Sequence, residues 1–261
     1  MYLEVDSSRI FFEHQGPADR TLVLVNGHTR TSSDFRSMGK YLRELGFGVL
    51  VFDNRGSGQT RDADPHFSRD HMVSDIFSLT DHLGCKNFGL LGISMGGMIA
   101  QIAAAKRPDV INGLCLVSTT CSRKYMKALP QWGLDFDSIK SRLSYYVSNE
   151  FFLRNEALVN AMAKQMLKPS PSGEEMNLRS EAQTKAMLDY DTKEYLGQIK
   201  ASTLIIHGDK DRVIDLEAAK ELDRQIQNSE LKCYEGVGHL ILAEHPKVFF
   251  SDVGDFFARQ F

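Results

Sequence analysis

Short apolar runs alternate with helix-patterned stretches along most of this 261-residue chain, and that rhythm limits the folds open to it. Arg9 to His14 and Thr21 to Asn26 read as strands, with Gly16-Pro17 as hairpin-type punctuation between them. A helical stretch over Ser33 to Leu45 precedes a strand at Phe47 to Asp53. Ser68 to Leu83 reads as a helix because Val73, Ile76, Phe77 and Leu83 share one face. Asn87 to Ile93 is a strand, Met95 to Lys106 a very apolar helix, and Ile111 to Ser118 the next strand. Apolar strands alternating with helices call for a mostly parallel sheet covered on both faces.

The rhythm breaks from about Cys121 to Tyr195, where no strand-like run occurs. One helical piece opens at Asp137, with Ile139, Leu143, Tyr146 and Val147 at helical spacing, and a second covers Glu156 to Leu167. A third starts near Ser180, where Ser180 and Gln183 have capping-box spacing. Pro169, Pro171 and Gly173 separate the last two. Strand and helix patterns then resume at Thr203 to His207, Leu216 to Ile226 and Glu230 to Tyr234. A closing helix carries Phe249, Val253, Phe256 and Phe257 on one stripe. The expected organisation is a core of residues 1–120 and 196–261, interrupted by a helical insertion over 121–195 after the sixth strand.

Composition narrows the function classes. Lys and Arg number 31 against 34 Asp and Glu, a net charge of −3 that argues against a nucleic-acid binder working by phosphate neutralisation. No apolar run is long enough for a transmembrane helix, and the first residues lack a secretory signal pattern. Cys85, Cys115, Cys121 and Cys233 are scattered and read as free thiols of a reducing, cytoplasmic compartment. No spacing suits a metal, and no dinucleotide or P-loop pattern is present, so no cofactor is expected.

The chemistry concentrates at Gly92-Ile93-Ser94-Met95-Gly96, a Gly-x-Ser-x-Gly pattern between a strand and a small-residue helix. That is the setting in which a turn presents a nucleophilic serine. A serine hydroxyl needs a base. His239, among eight histidines, sits in a glycine-rich loop after the last strand and is the strongest candidate; His207 ends a strand and reads as a packing or hydrogen-bonding residue. The base needs a carboxylate to fix its tautomer. Asp211 is favoured, Asp215 reads as a helix cap and Asp209 as a turn residue. Oxyanion donors are expected from the backbone N–H groups of Met95 and His28, the latter in the loop after Asn26. Asp53 and Arg55, in Asp53-Asn54-Arg55-Gly56-Ser57-Gly58, read as ties within a structural turn.

Taken together, Asn26-Gly27-His28, Asp53-x-Arg55-Gly56-x-Gly58, Gly92-x-Ser94-x-Gly96-Gly97, Gly208-x-x-Asp211 and Gly238-His239-x-x-x-x-Glu244-x-Pro246 resemble the α/β-hydrolase superfamily over nearly the whole chain. The resemblance implies an eight-stranded, mostly parallel sheet with helices on both faces, and a helical cap over 121–195. It implies the triad order Ser94, Asp211, His239. The chain is most similar to small single-domain carboxylesterases of the enol-lactonase-like branch. It departs at Asn26, where the family commonly has histidine, which puts the hydrogen bonds around that loop in question. It also lacks the extra glycine and proline of proline iminopeptidases and many carbon–carbon hydrolases, which weighs against those activities. Ser94 argues against the dehalogenases and epoxide hydrolases that use aspartate.

The implied function is a serine hydrolase of a small-molecule carboxylic ester, lactone or thioester. Alternatives are a hydrolase of acyl-carrier-protein methyl esters or thioesters, and a slow-turnover ligand receptor on the same fold. Trp132, Tyr145 and Tyr146 are candidate substrate-binding residues of the cap. Arg123, Lys124, Lys127, Lys140 and Arg142 give it a basic bias that a carrier protein could read, though Asp135 and Asp137 dilute it. No nucleic-acid or membrane partner is expected.

Overall fold

The computed structural model describes residues 1–62, 66–128, 130, 135–167, 181–187 and 189–261. Among them nine strands form one sheet: β1 Tyr2–Val5, β2 Ser8–Gln15, β3 Thr21–Val25, β4 Gly48–Phe52, β5 Arg61–Asp62, β6 Phe88–Ile93, β7 Ile111–Val117, β8 Ser202–Gly208 and β9 Ser229–Tyr234. The order is β1-β2-β4-β3-β6-β7-β8-β9, with the two-residue β5 paired beside β2. From β4 through β9 along that order every pairing is parallel. β2 runs antiparallel to both β1 and β4, so the Gly16-Pro17 turn does not join a hairpin of β2 and β3. Its true hairpin partner, β1, is short and partly exposed and offers no apolar run to read.

Why the strands read so clearly follows from their burial. All five residues of β3 and of β4 are buried, so both faces must be apolar. Val23 and Val25 point to one side, where α2 (Arg69–His82) and α3 (Met95–Lys106) contribute Val73, Ile76, Ile99 and Ala103. Leu22 and Leu24 point to the other, against Met38 and Leu42 of α1 (Arg36–Glu44) and Phe249, Val253 and Phe257 of the C-terminal helix. Each of these side chains larger than alanine contributes about 1.5–3 kcal/mol on burial. The helix expected over Ser33 to Leu45 begins as a 3-10 turn, Ser32–Phe35, before α1 takes over.

The residues between β7 and β8 hold α4 (Phe136–Tyr146), α5 (Asn149–Arg154), α6 (Glu156–Met166), α7 (181–186) and α8 (Lys193–Leu196). Asp135 caps α4 through Ser138 N–H, two residues before the start expected at Asp137. Ile139, Leu143, Val159 and Ala163 form a small core of their own, against which Leu240 packs. Ser180 lies outside the described residues, and the Gln183 side chain does not turn back to cap its helix. It bonds instead to Thr29, Arg55 and Ser57 of the core. α9 (Leu216–Gln225), α10 (Ile241–Glu244) and α11 (Pro246–Ala258) complete the chain, with Asp215 capping α9 as expected.

Candidate active site

Because β3, β6, β8 and β9 run parallel, the loops that follow them gather at one edge of the sheet, the usual place for a site in such folds. Ser94 stands between β6 and α3 at φ 54, ψ −118, a conformation that costs of order 1–3 kcal/mol and persists only where its surroundings fix it. They do. Ser94 N–H donates to the Val117 carbonyl at 2.9 Å, while the Ser94 carbonyl accepts from Gly97 N–H at 2.9 Å and Thr119 Oγ1 at 2.7 Å. The glycines are required by close approach: a Cβ on Gly96 would run into the Val25 carbonyl, and one on Gly92 into the Gly96 carbonyl. The hydroxyl is thus carried on a rigid elbow, half-buried at the sheet edge.

His239 Nε2 lies 3.2 Å from Ser94 Oγ, and its Nδ1 lies 2.7 Å from Asp211 Oδ2. His239 and Asp211 are both buried. The other carboxylate oxygen, Oδ1, accepts from Val213 N–H at 2.7 Å and Ile214 N–H at 2.9 Å. Burial alone would raise the Asp211 carboxyl, but His239, His207 and these backbone donors hold it below the usual carboxylate range. An ionised Asp211 keeps the proton of His239 on Nδ1, leaving Nε2 free to accept from the serine. His207, fully buried, points Nε2 at Asp211 Oδ2 (3.4 Å) and the Ile214 carbonyl (3.2 Å), and burial lowers its pKa. Its backing of the acid was not legible in a strand-end histidine. Asp209 does more than shape its own turn. Its Oδ1 accepts from Gly236 N–H at 2.7 Å and so ties the acid loop to the histidine loop.

Glu244 supports the same loop from the far side. Its two oxygens accept from Gly238 N–H at 2.9 Å and Ser148 N–H at 3.0 Å. One carboxylate therefore joins the residue before His239 to the start of α5.

On the other flank, a Cβ added at Gly27 would come within van der Waals range of the Ser94 side chain. Asn26 performs the bracing that the departure from histidine put in question. Its Oδ1 accepts from Gly27 N–H at 2.8 Å, and its Nδ2 donates to the Thr31 carbonyl at 2.6 Å and to Asp34 at 3.1 Å. Asn54 Nδ2 donates to the Asn26 carbonyl, and Asp53 accepts from Ser32 N–H and Gln59 N–H, so the turn after β4 ties itself to this loop. Arg55 forms a two-point pair with Asp75 of α2, at 2.8 Å for each bond. Met95 N–H is the first of the donors that an α-helix start leaves without an intrahelical partner, and it follows Ser94 directly. The His28 ring turns away toward Thr184, 3.1 Å from its Oγ1.

Of the candidate substrate residues, Tyr146 is brought to the site. Its ring meets that of His239 edge-on at 5.6 Å, and its carbonyl accepts from Leu240 N–H. Tyr145 packs instead beneath the Arg212 guanidinium, and Trp132 lies outside the described residues. Lys127 donates to the Asp211 carbonyl and pairs with Asp215, and Lys140 pairs with Glu156. Among the described residues no group of three or more His, Cys, Asp or Glu is placed to hold a metal, and no helix is long and apolar enough to cross a membrane.

A serine, an imidazole and a carboxylate in this order, beside a helix start, can generate an alkoxide-like nucleophile and stabilise an oxyanion. Comparison with known proteins places the chain among the hydrolases. The family model for serine aminopeptidase S33 matches residues 16–246. The 2-hydroxy-6-oxononadienedioate/2-hydroxy-6-oxononatrienedioate hydrolase of Escherichia coli (strain K12) is 28% identical, over 96% of this chain and 91% of its own. A mutant of the meta-cleavage product hydrolase CumD from Pseudomonas fluorescens IP01 superposes with a TM-score of 0.83 at 19% identity, covering 97% of this chain and 95% of that one. An esterase from Exiguobacterium antarcticum gives 0.71 at 23%, covering 97% of each chain. The chain belongs to the serine aminopeptidase S33 family and is a hydrolase of the α/β-hydrolase fold.

Proposed function

We propose that this chain hydrolyses a carboxylic ester, lactone or thioester through an acyl-enzyme on Ser94. The observation that carries the reading is the continuous hydrogen-bond chain from Ser94 Oγ through His239 to Asp211 behind a strained elbow. His239 Nε2 takes the hydroxyl proton as Oγ attacks the carbonyl carbon. The tetrahedral oxyanion is held by the N–H groups of Met95 and His28. The same imidazole then returns the proton to the leaving alkoxide or thiolate, and water repeats the sequence to free the acid. Asp211 stays ionised throughout and stabilises the imidazolium.

In this reading residues 121–195 form a cap over the nucleophile, with Tyr146 beside the base. The engagement of Lys127 and Lys140 by local carbonyl and carboxylate oxygens favours a small-molecule substrate over a docked carrier protein. A second reading, hydrolysis of a meta-cleavage product, is favoured by the Escherichia coli relative, whose match spans nearly the whole of both chains.

The test is turnover of p-nitrophenyl esters of increasing acyl length, run beside 2-hydroxy-6-oxononadienedioate, with Ser94→Ala as control. Ester turnover that falls by at least about 10³-fold in the variant is expected. Turnover of the dienedioate with none of the esters would replace the first reading with the second. Inertness of the folded wild type towards both would move weight to the ligand receptor.

A further inference from the structure

Gln183 is a buried side chain, at 0% exposure, whose amide is spent entirely on loops far from it in sequence. Its Oε1 accepts from Thr29 N–H at 2.7 Å, while Nε2 donates to the Arg55 carbonyl and to Ser57 Oγ, each at 2.7 Å. Thr29 has φ 58, left-handed backbone that a β-branched residue adopts only when something holds it there. The residue before it is His28. The next side chain along α7, Thr184, meets the His28 ring.

We infer that Gln183 is a positioning residue that sets the aim of the His28 oxyanion donor from the segment preceding β8. The inference rests on the serine-hydrolase reading above. With Thr29 N–H committed to Gln183, that donor is withdrawn from substrate and the left-handed turn is pinned. The pin is anchored in turn. Arg55 and Ser57 belong to the turn after β4, and the same turn holds the Asn26 carbonyl through Asn54. Thr29, Gln183, the turn after β4 and Asn26 thus close a ring of hydrogen bonds around the loop. Removing the amide leaves the N–H of Thr29 and the carbonyl of Arg55 without their partner and frees the turn to relax. The triad itself is untouched, because Gln183 makes no hydrogen bond to Ser94, His239 or Asp211.

The test is the rate at which a fluorophosphonate probe labels Ser94, measured per folded molecule in wild type and Gln183→Leu. This rate needs the triad and the oxyanion donors but no knowledge of the natural substrate. Labelling slowed by about 10- to 100-fold is expected, with binding of an aryl trifluoromethyl ketone weakened in parallel. KM for a short p-nitrophenyl ester should stay within about twofold, because the loss falls on the transition state. A variant that labels as fast as wild type, or one that loses only KM or only thermal stability, overturns the inference and leaves the serine-hydrolase reading standing. A wild type that does not label sinks that reading and this one with it. Should Gln183→Leu not accumulate as folded protein, Ser57→Ala is read instead, which removes one of the two acceptors that anchor Gln183 Nε2. About threefold slower labelling is then expected from the loosened pin, and an unchanged rate overturns the proposal.

Discussion

Asp211 shows how much of the site's chemistry rests on the two sides of one carboxylate. Oδ1 is fully occupied by the N–H groups of Val213 and Ile214, so an amide at this position would keep its oxygen there. Its NH₂ would then face His239 Nδ1 in place of Oδ2. The ring would have to accept at Nδ1, the proton would move to Nε2, and the serine would lose its base. Asp211→Asn is therefore expected to lower kcat by about 10⁴-fold with little change in KM. The same residue carries a pH signature. Its folded carboxyl sits below the usual range, so in acid the unfolded chain binds the proton more readily, and stability from this group rises with pH. That contribution is complete above about pH 4 and is lost as pH falls through the folded value. An asparagine does not titrate there. The difference in Tm between wild type and Asp211→Asn, followed by circular dichroism from pH 7 downward, should narrow below pH ~4. A gap that is constant or widens would mean that Asp211 is not held ionised by its partners.

At the scale of elements, what the sequence revealed and what it hid have physical causes. β3, β4, β6 and β7 were legible because strands buried on both faces are continuous apolar runs. β1 and β5 were not, because Glu4, Arg61 and Asp62 lie on short segments at or near the sheet margin, where pairing leaves no apolar pattern. Ser94, His239 and Asp211, which the structure brings within hydrogen-bond reach of one another, could be singled out because each follows a strand in a turn that contains glycine. Gln183 was misread because Ser-x-x-Gln spacing is a local signal, while its partners lie 126 to 154 residues away. Glu244 was visible as part of a motif, but its two contacts, which join α5 to the histidine loop, were not. Glutamine at 244 offers one acceptor oxygen where the carboxylate serves two backbone N–H groups. Glu244→Gln should leave either Gly238 or Ser148 unsatisfied, at a cost of about 1–3 kcal/mol in urea unfolding. It should also lower kcat, since Gly238 precedes the base. A variant as stable and active as wild type would show that the carboxylate serves only one of the two elements.

On the scale of the molecule, Arg55 is the largest fully buried side chain among the described residues, and it joins parts of the fold that no strand pairing connects. Its guanidinium makes two 2.8 Å bonds to Asp75 on α2, one of 2.8 Å to Ser8 Oγ on β2, and reaches the Val5 carbonyl on β1 at 3.5 Å. The antiparallel margin of the sheet is thereby fastened to a helix of the parallel region. Two charges taken out of water contribute little net stability as a pair, because desolvation offsets most of their attraction. A guanidinium stripped of its buried partner is another matter, since only the exposed Asp6, at 3.6 Å, still pairs with it. Asp75→Ala keeps the guanidinium buried beside a cavity, and a loss of about 3–5 kcal/mol in urea unfolding is expected. Replacing both partners by apolar residues of similar volume, as in Arg55→Met with Asp75→Leu, removes the stranded charge along with its partner. That double variant should be more stable than Asp75→Ala alone and recover more than half of the loss. The residual cost would come from Ser8 and the Val5 carbonyl, which lose their donor. If the double variant is instead the less stable of the two, the pair holds the margin by its hydrogen-bond geometry, which packing volume cannot replace.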